Sequence, residues 1–332
     1  MAKKIILDVD TGSDDAVAIM LAALHPDIDL LGVCAVNGNL PLKNTLENTL
    51  RVIELVGVQD KVPVAKGCAR PMVKDLLPGR EHNPYTKPYK IDENGNYIGY
   101  HHPYFDLPES VTKPVKENFI TWYLDTIKNC PEKVTLVPVG PLTNIGMLLR
   151  ADPTVLDNVE EIVIMGGGHA ESNHSAAGEF NIWADPEAAE IVMQSGAKIT
   201  LVPLDCTHKV SRVSRSDFGR FKEIGNPVSD FILQLLEDRI AGYKAIQPGA
   251  MEDDESAALH DVLCVAYCID PSVLDNLLTT RVDVDFSGGF ADGKTVIDTR
   301  HNRDLPDNCT VAFGGDREKF LDILLDACKN YR

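Results

Sequence analysis

Asp8, Asp10, Asp14 and Asp15 place four carboxylates within eight consecutive positions. Carboxylates held that close repel one another, and burial without a counter-charge raises the cost of ionising them. A hard divalent cation answers both problems, because Ca²⁺ and Mg²⁺ take their ligands as oxygen. Ser13, Asp14 and Asp15 are also residue types that cap a helix. Capping accounts for one or two acids near a helix start, and this stretch carries four. The chemistry expected here is that of a cation held among carboxylates.

The elements around these acids follow from local pattern. Lys3-Lys4-Ile5-Ile6-Leu7 contains a β-branched apolar run and predicts a buried strand. Gly12 permits a tight turn, and residues 16–24 predict the amphipathic helix after it. A second apolar run at 30–36 ends in Asn37-Gly38-Asn39, helical spacing covers 42–56, and Val62-Pro63-Val64 predicts a short strand. This order predicts an α/β fold with a mostly parallel, doubly wound sheet flanked by helices. Ligands of such sheets bind beyond the carboxyl ends of the strands, where Asp10 and Asn39 both fall.

Residues 70–112 break the pattern. They are rich in Pro, Gly, Tyr, Asn and His and predict an irregular loop insertion acting as a lid or subunit contact. Regular order resumes with a helix at 115–128 and strands at 134–139, 161–165 and 200–204. Gly166-Gly167-Gly168 lacks GxGxxG or Walker spacing, so these glycines predict close approach of backbone to a ligand. Asp185-Pro186 predicts a helix start, and 211–247 is helical in character. Leu259-His260-Asp261 opens an apolar helix, segments 280–285 and 295–298 predict paired strands around Gly288-Gly289, and 317–330 closes with a helix. No repeat or linker divides the chain, so one domain over 1–332 is expected.

Several of these segments occur together, and in order, in one family. Ile5-Ile6-Leu7-Asp8-Val9-Asp10-Thr11-Gly12-Ser13-Asp14-Asp15-Ala16-Val17-Ala18-Ile19 resembles the signature of the inosine-uridine nucleoside hydrolases. Val137-Pro138-Val139-Gly140-Pro141-Leu142-Thr143-Asn144, Met165-Gly166-Gly167, Glu179-Phe180-Asn181 and Leu259-His260-Asp261 extend the resemblance along essentially the whole chain. It implies a calcium-dependent hydrolase of the ribonucleoside N-glycosidic bond, serving nucleoside salvage, with a nucleoside hydrolase-like fold. It implies Asp10, Asp15, Asp261 and the backbone carbonyl of Val139 as Ca²⁺ ligands, with Asp8 supporting them from behind. Asp10 would also be the general base. Asp14, Asn39, Asn173, Glu179 and Asn181 would hold ribose hydroxyls, Met165 and Phe180 would wall the sugar, and His260 would protonate the leaving base. An acidic stretch at Asp253, Asp254 and Glu255 would favour protonated His260 if it came near.

The chain departs from the family at Thr11, where Pro is common, and over 78–110, where many members carry a His-Gly motif. His82, His101 and His102 are its possible stand-ins, so the base preference, ordinary or modified and bulky, stays open. Two other classes share parts of the pattern. A haloacid-dehalogenase-like phosphatase also places Asp-x-Asp after its first strand but expects Thr or Val where this chain has Gly12. A non-catalytic calcium-dependent sugar-binding protein would need the same metal ligands but no base. A net charge of −18 argues against nucleic acid as a partner, and no apolar run is long enough to span a membrane. Eight cysteines without CxxC pairing, and an N-terminal apolar run that breaks at Asp8, predict reduced thiols in the cytoplasm. The expected partners are a small ribonucleoside and further copies of the chain, as a homodimer or homotetramer.

Overall fold

The computed structural model describes residues 2–77, 79–80, 89–91, 93, 97–246, 255–300 and 305–331. His82, Asp253 and Asp254 lie outside the described residues.

Eight strands form the central sheet: β1 (Lys3–Val9), β2 (Ile28–Ala35), β3 (Val64–Lys66), β4 (Val134–Pro138), β5 (Val159–Met165), β6 (Ile199–Val202), β7 (Leu274–Thr280) and β8 (Cys309–Gly315). Their spatial order is β7-β8-β6-β5-β4-β1-β2-β3. Every pairing is parallel except β7 with β8. Strand β1 is central because both of its faces are apolar. Ile5, Leu7 and Val9 pack into one core and Ile6 into the other. Helices α1 (Ser13–Leu24) and α2 (Leu42–Leu55) contribute to the first core. Helices α3 (Phe119–Asn129) and α4 (Thr143–Ala151) contribute to the second. This is the doubly wound arrangement expected from the sequence.

The chain runs outward from β1 through β2 to β3, then returns to place β4 on the other side of β1. The winding therefore reverses between β1 and β4, and the crevice beyond their carboxyl ends is where such folds bind ligands. Asp10 follows β1 and Val139 follows β4 there, and the Val139 amide donates to the Asp8 carbonyl at 2.8 Å.

The remaining helices are α5 (Phe180–Ala184), α6 (Pro186–Met193), α7 (Leu204–Val210), α8 (Phe218–Ile224), α9 (Pro227–Ile246), α10 (His260–Ile269) and α11 (Arg317–Lys329). The helical stretch expected at 211–247 is interrupted. Arg212–Ser214 pairs with Ser256–Ala258 as a small antiparallel ladder, and Gly225, at φ 60°, ends α8 before α9 begins. The paired strands expected near Gly288-Gly289 are present, as Val282–Val284 against Thr295–Ile297. The helix expected from 115 starts at Phe119, where the Asn118 side chain accepts the Ile120 amide. Within 70–112 the described residues include a 3₁₀ turn at Lys74–Leu76 and an antiparallel pair, Tyr89–Ile91 with Tyr97–Gly99. Ion pairs from Lys74 (3.1 Å) and Arg80 (2.8 Å) to Asp292 tie this segment to the turn before Thr295.

Candidate active site

Gly12 is the N-cap of α1, and the Ala16 amide donates to its carbonyl at 3.1 Å. Asp15 sits three residues in and accepts the amides of Asp10 and Gly12, both at 3.0 Å. Capping is therefore real for Asp15, whose acid also suits the positive end of the helix dipole. It does not account for the others. Asp10 accepts the Asn39 amide on Oδ2 at 2.6 Å, while its buried Oδ1 has no hydrogen-bond partner among the described residues. Gly38 and Gly140 let backbone crowd this carboxylate: a Cβ on either would stand 2.1 or 2.7 Å from an Asp10 oxygen.

Asp261 enters from the first turn of α10, so that oxygens of Asp14, Asp15 and Asp261 lie within 4.8 Å of one another. All three are buried. Burial, and then Asp15, push the Asp10 carboxyl well above the usual range. Burial and then Asp14 raise Asp15 to about 6, and burial and the same neighbours raise Asp261 strongly. Oxygen donors alone, negative, crowded and one of them orphaned, fit a hard divalent cation. The fit adds one point to the ligand set implied by resemblance: Asp14 belongs to the tight acidic cluster, whereas Asp10 flanks it.

Asp8 faces the other way, into the core that contains Ile6. Its Oδ2 accepts from the Tyr123 hydroxyl at 2.6 Å and from Asn144 Nδ2 at 2.8 Å, and burial raises it to about 7. Neither bracing residue stood out in the sequence.

The sugar-side residues come together around β4 and β5. The Val139 carbonyl accepts from Asn181 Nδ2 at 2.6 Å, which also reaches the Met165 carbonyl at 3.2 Å and Met165 Sδ at 3.4 Å. Asn181 thus clamps the carbonyl implied as a metal ligand. Glu179 caps α5, with Oε1 accepting the Asn181 amide at 2.9 Å and Oε2 accepting the Gly167 amide at 2.8 Å. Burial lifts its pKa to about 7 against these bonds. Asn173 lies exposed on the loop before α5 and accepts the Phe180 amide at 2.9 Å. Phe180 is half-buried, with the His174 ring 5.4 Å away.

His260 is buried at the start of α10, with Nδ1 2.7 Å from Thr207 Oγ1. Of the acids that would favour its protonated form if near, Asp253 and Asp254 lie outside the described residues. Burial lowers its pKa well below the ordinary value, and His208, Arg239 and His101 lower it further. Glu255 is committed elsewhere, to Arg215 and Lys244 at 2.6 Å each. Of the histidines at 101 and 102, His101 reaches the acidic turn. Its Nδ1 accepts the Ser13 amide at 3.3 Å, and burial lowers its pKa to about 4. Only glycine fits below it, since a Cβ on Gly12 would stand 2.0 Å from that nitrogen. His102 Nε2 lies 3.1 Å from Asp238 on α9 instead.

Sequence reasoning also missed Arg239 on α9. Its buried guanidinium donates to Asp14 Oδ1 at 2.7 Å, Ser13 Oγ at 2.8 Å and the Tyr243 hydroxyl at 2.9 Å. It brings a fixed positive charge to the acidic cluster and fixes one Asp14 oxygen. The signal was slight: one arginine four residues before a tyrosine in a helical run. Arg239→Ala strands a buried carboxylate and is expected to cost about 3–5 kcal/mol of stability. Urea unfolding checks this, and an unchanged midpoint would show that the pair is not holding Asp14.

Comparisons with known proteins identify the family. The profile of the family "Inosine-uridine preferring nucleoside hydrolase" matches residues 5–322. The chain belongs to this family of nucleoside hydrolases. It is 37% identical to the inosine-uridine preferring nucleoside hydrolase of Leishmania major over 332 residues, covering 98% of each chain. It is 35% identical to the pyrimidine-specific ribonucleoside hydrolase RihA of Shigella boydii over 331 residues, covering 100% of each. Among solved structures, the purine-preferring ribonucleoside hydrolase of Gardnerella vaginalis superposes with a TM-score of 0.82 at 28% identity, covering 99% of each chain. A nucleoside hydrolase acts on the N-glycosyl bond of ribonucleosides, and the phosphatase and sugar-binding readings give way to that membership.

Proposed function

We propose that this nucleoside hydrolase is calcium-dependent and uses Asp10 as its general base. The observation that supports this reading most is the buried Asp10 carboxylate, anchored through one oxygen and unpartnered at the other, beside Asp14, Asp15 and Asp261. Asp10, Asp15, Asp261 and the Val139 carbonyl would hold the cation. Once bound, Ca²⁺ supplies Lewis acidity that orients the sugar diol and lowers the pKa of water. The relatives' printed preferences cover pyrimidine, inosine–uridine and purine, so ordinary ribonucleosides of either base class are the proposed substrates.

Cleavage of the ribose C1′–N bond passes through an oxocarbenium-like state. Asp10 removes a proton from the attacking water as positive charge develops on the sugar. Asp14, Asn39, Asn173, Glu179 and Asn181 position the hydroxyls, and Met165 and Phe180 pack beside the ring. In Asn181, Nδ2 is spent on carbonyls, which leaves Oδ1 for the ligand. His260 assists the departing base as a neutral hydrogen-bond donor. 2′-Deoxyribonucleosides are therefore expected to lose on the order of a hundredfold or more in kcat/KM, because the hydroxyl contacts tighten in the transition state. Equal rates on ribo- and 2′-deoxy substrates would contradict the diol contact.

His260→Ala is expected to lower kcat on ordinary nucleosides by on the order of a hundredfold. It should affect p-nitrophenyl riboside much less, since that leaving group needs no proton. Equal losses on the two substrates would remove His260 from leaving-group chemistry. Should variants of His101 or His102 give the selective loss, the loop supplies the acid.

The cellular setting is part of the same reading. All eight cysteines are free thiols, which suits the reducing cytoplasm. Among the described residues, no helix is long and apolar enough to cross a membrane. Exposed Leu76 and Phe290 offer apolar surface to a second copy in a homodimer or homotetramer.

A further inference from the structure

We propose that Thr207 is a positioning residue that holds His260 as its Nε2–H tautomer, so that the ring offers a donor, not an acceptor, to the departing base. The inference rests on the leaving-group role of His260 in the nucleoside hydrolase reading.

Thr207 lies in α7 and is fully buried. Its carbonyl is occupied by the Ser211 amide at 3.0 Å and the Ser211 hydroxyl at 2.8 Å. Its own hydroxyl meets one described polar atom, His260 Nδ1, at 2.7 Å. A hydroxyl carries one proton and can either give or accept at that contact. If Nδ1 bore the ring proton, the Thr207 hydroxyl would accept it, and its own hydrogen would be buried with no acceptor. That arrangement is penalised, whereas donation from Thr207 to Nδ1 satisfies both groups. The proton of a neutral imidazole then sits on Nε2, the nitrogen opposite Thr207.

The same contact calls for a neutral ring, because a protonated imidazole would carry a hydrogen on Nδ1 and leave the Thr207 hydroxyl without an acceptor. The His208 ring meets His260 edge-on, with centroids 5.2 Å apart. Helix α7 is itself fixed to the loop after β5. The Leu204 amide donates to the Gly167 carbonyl at 3.0 Å, and Asp205 accepts the His169 amide at 2.7 Å. The contact between Thr207 and His260 therefore joins two elements that are independently held.

Two-bond ¹H–¹⁵N correlation spectra of the histidine-labelled, metal-loaded protein near neutral pH read the tautomer directly. The Nε2–H pattern is expected for His260, and an Nδ1–H pattern would overturn the proposal without any variant. Thr207→Val removes the donor while keeping the shape. It is expected to weaken the Nε2–H preference and lower kcat on nucleosides about tenfold. KM and the rate on p-nitrophenyl riboside should change little, and Thr207→Ser should restore both tautomer and kcat. Equal losses on both substrates, or no rescue by Ser, would reduce Thr207 to a packing residue. A wild-type protein that releases no ribose would end the hydrolase reading, while the spectrum would still decide the tautomer.

Discussion

Asp10→Asn is expected to lower kcat on ribonucleosides by on the order of a thousandfold or more, with the fold intact. The carboxamide has nearly the carboxylate's shape, so it still fits between Gly38 and Gly140, where a Cβ would stand 2.1 or 2.7 Å from the Asp10 oxygens. It can also still accept the Asn39 amide that now bonds Oδ2 at 2.6 Å. What it loses is basicity and one negative charge. Because Asp15 and Asp14 both push the Asp10 pKa upward, removing that charge relieves repulsion in the metal-free protein. The metal-free variant should therefore unfold in urea at or above the wild-type midpoint while remaining nearly inactive. Activity within a few fold of wild type would remove Asp10 as the base.

Stripping the metal is expected to have at least as large an effect. Asp14, Asp15 and Asp261 approach within 4.8 Å, and among the described residues Arg239 is the one cation bonded to them. One positive charge cannot balance these acids together with Asp10. A divalent cation should therefore bind tightly, stabilise the fold by mass action and be needed for turnover. Elemental analysis of purified protein should find about one equivalent of calcium per chain. Chelation should abolish ribose release and lower Tm, and added Ca²⁺ should restore both. A metal-free protein with full activity would end the calcium assignment.

Part of this account is readable from sequence because it depends on neighbours along the chain. The apolar run of β1, the glycine turn and the first-turn acids of α1 are local, and they predict both the strand–helix unit and its charge problem. Strand–helix alternation placed the site beyond the carboxyl ends of the strands, where Asp10 and Asn39 fall, whereas the crevice between β1 and β4 comes from the strand order. Asp261, more than two hundred residues away, was reached through resemblance and not through spacing. Arg239 was missed because pairing a helix arginine with Asp14 requires knowing how α9 docks. Tyr123 and Asn144 were missed for the same reason: their hydroxyl and amide meet Asp8 only once α3 and α4 pack against the sheet. Strand β8 was overlooked because its run, Cys309-Thr310-Val311-Ala312-Phe313, is short and ends in two glycines. Its place between β6 and β7 is set by tertiary pairing. The groups that bear on His260 could not be read from sequence either: burial lowers its pKa, and His208, Arg239 and His101 lower it further, each brought there only by packing.

The central claim, hydrolysis of ribonucleosides at the Asp10 site, is tested most directly by reducing-sugar release from a panel of purine, pyrimidine and modified ribonucleosides. The calcium-loaded protein is assayed, with p-nitrophenyl phosphate as a phosphatase control. The account predicts free base and ribose from ordinary ribonucleosides and no phosphate release from the control. No sugar from any nucleoside, or phosphate released from the control, would contradict it.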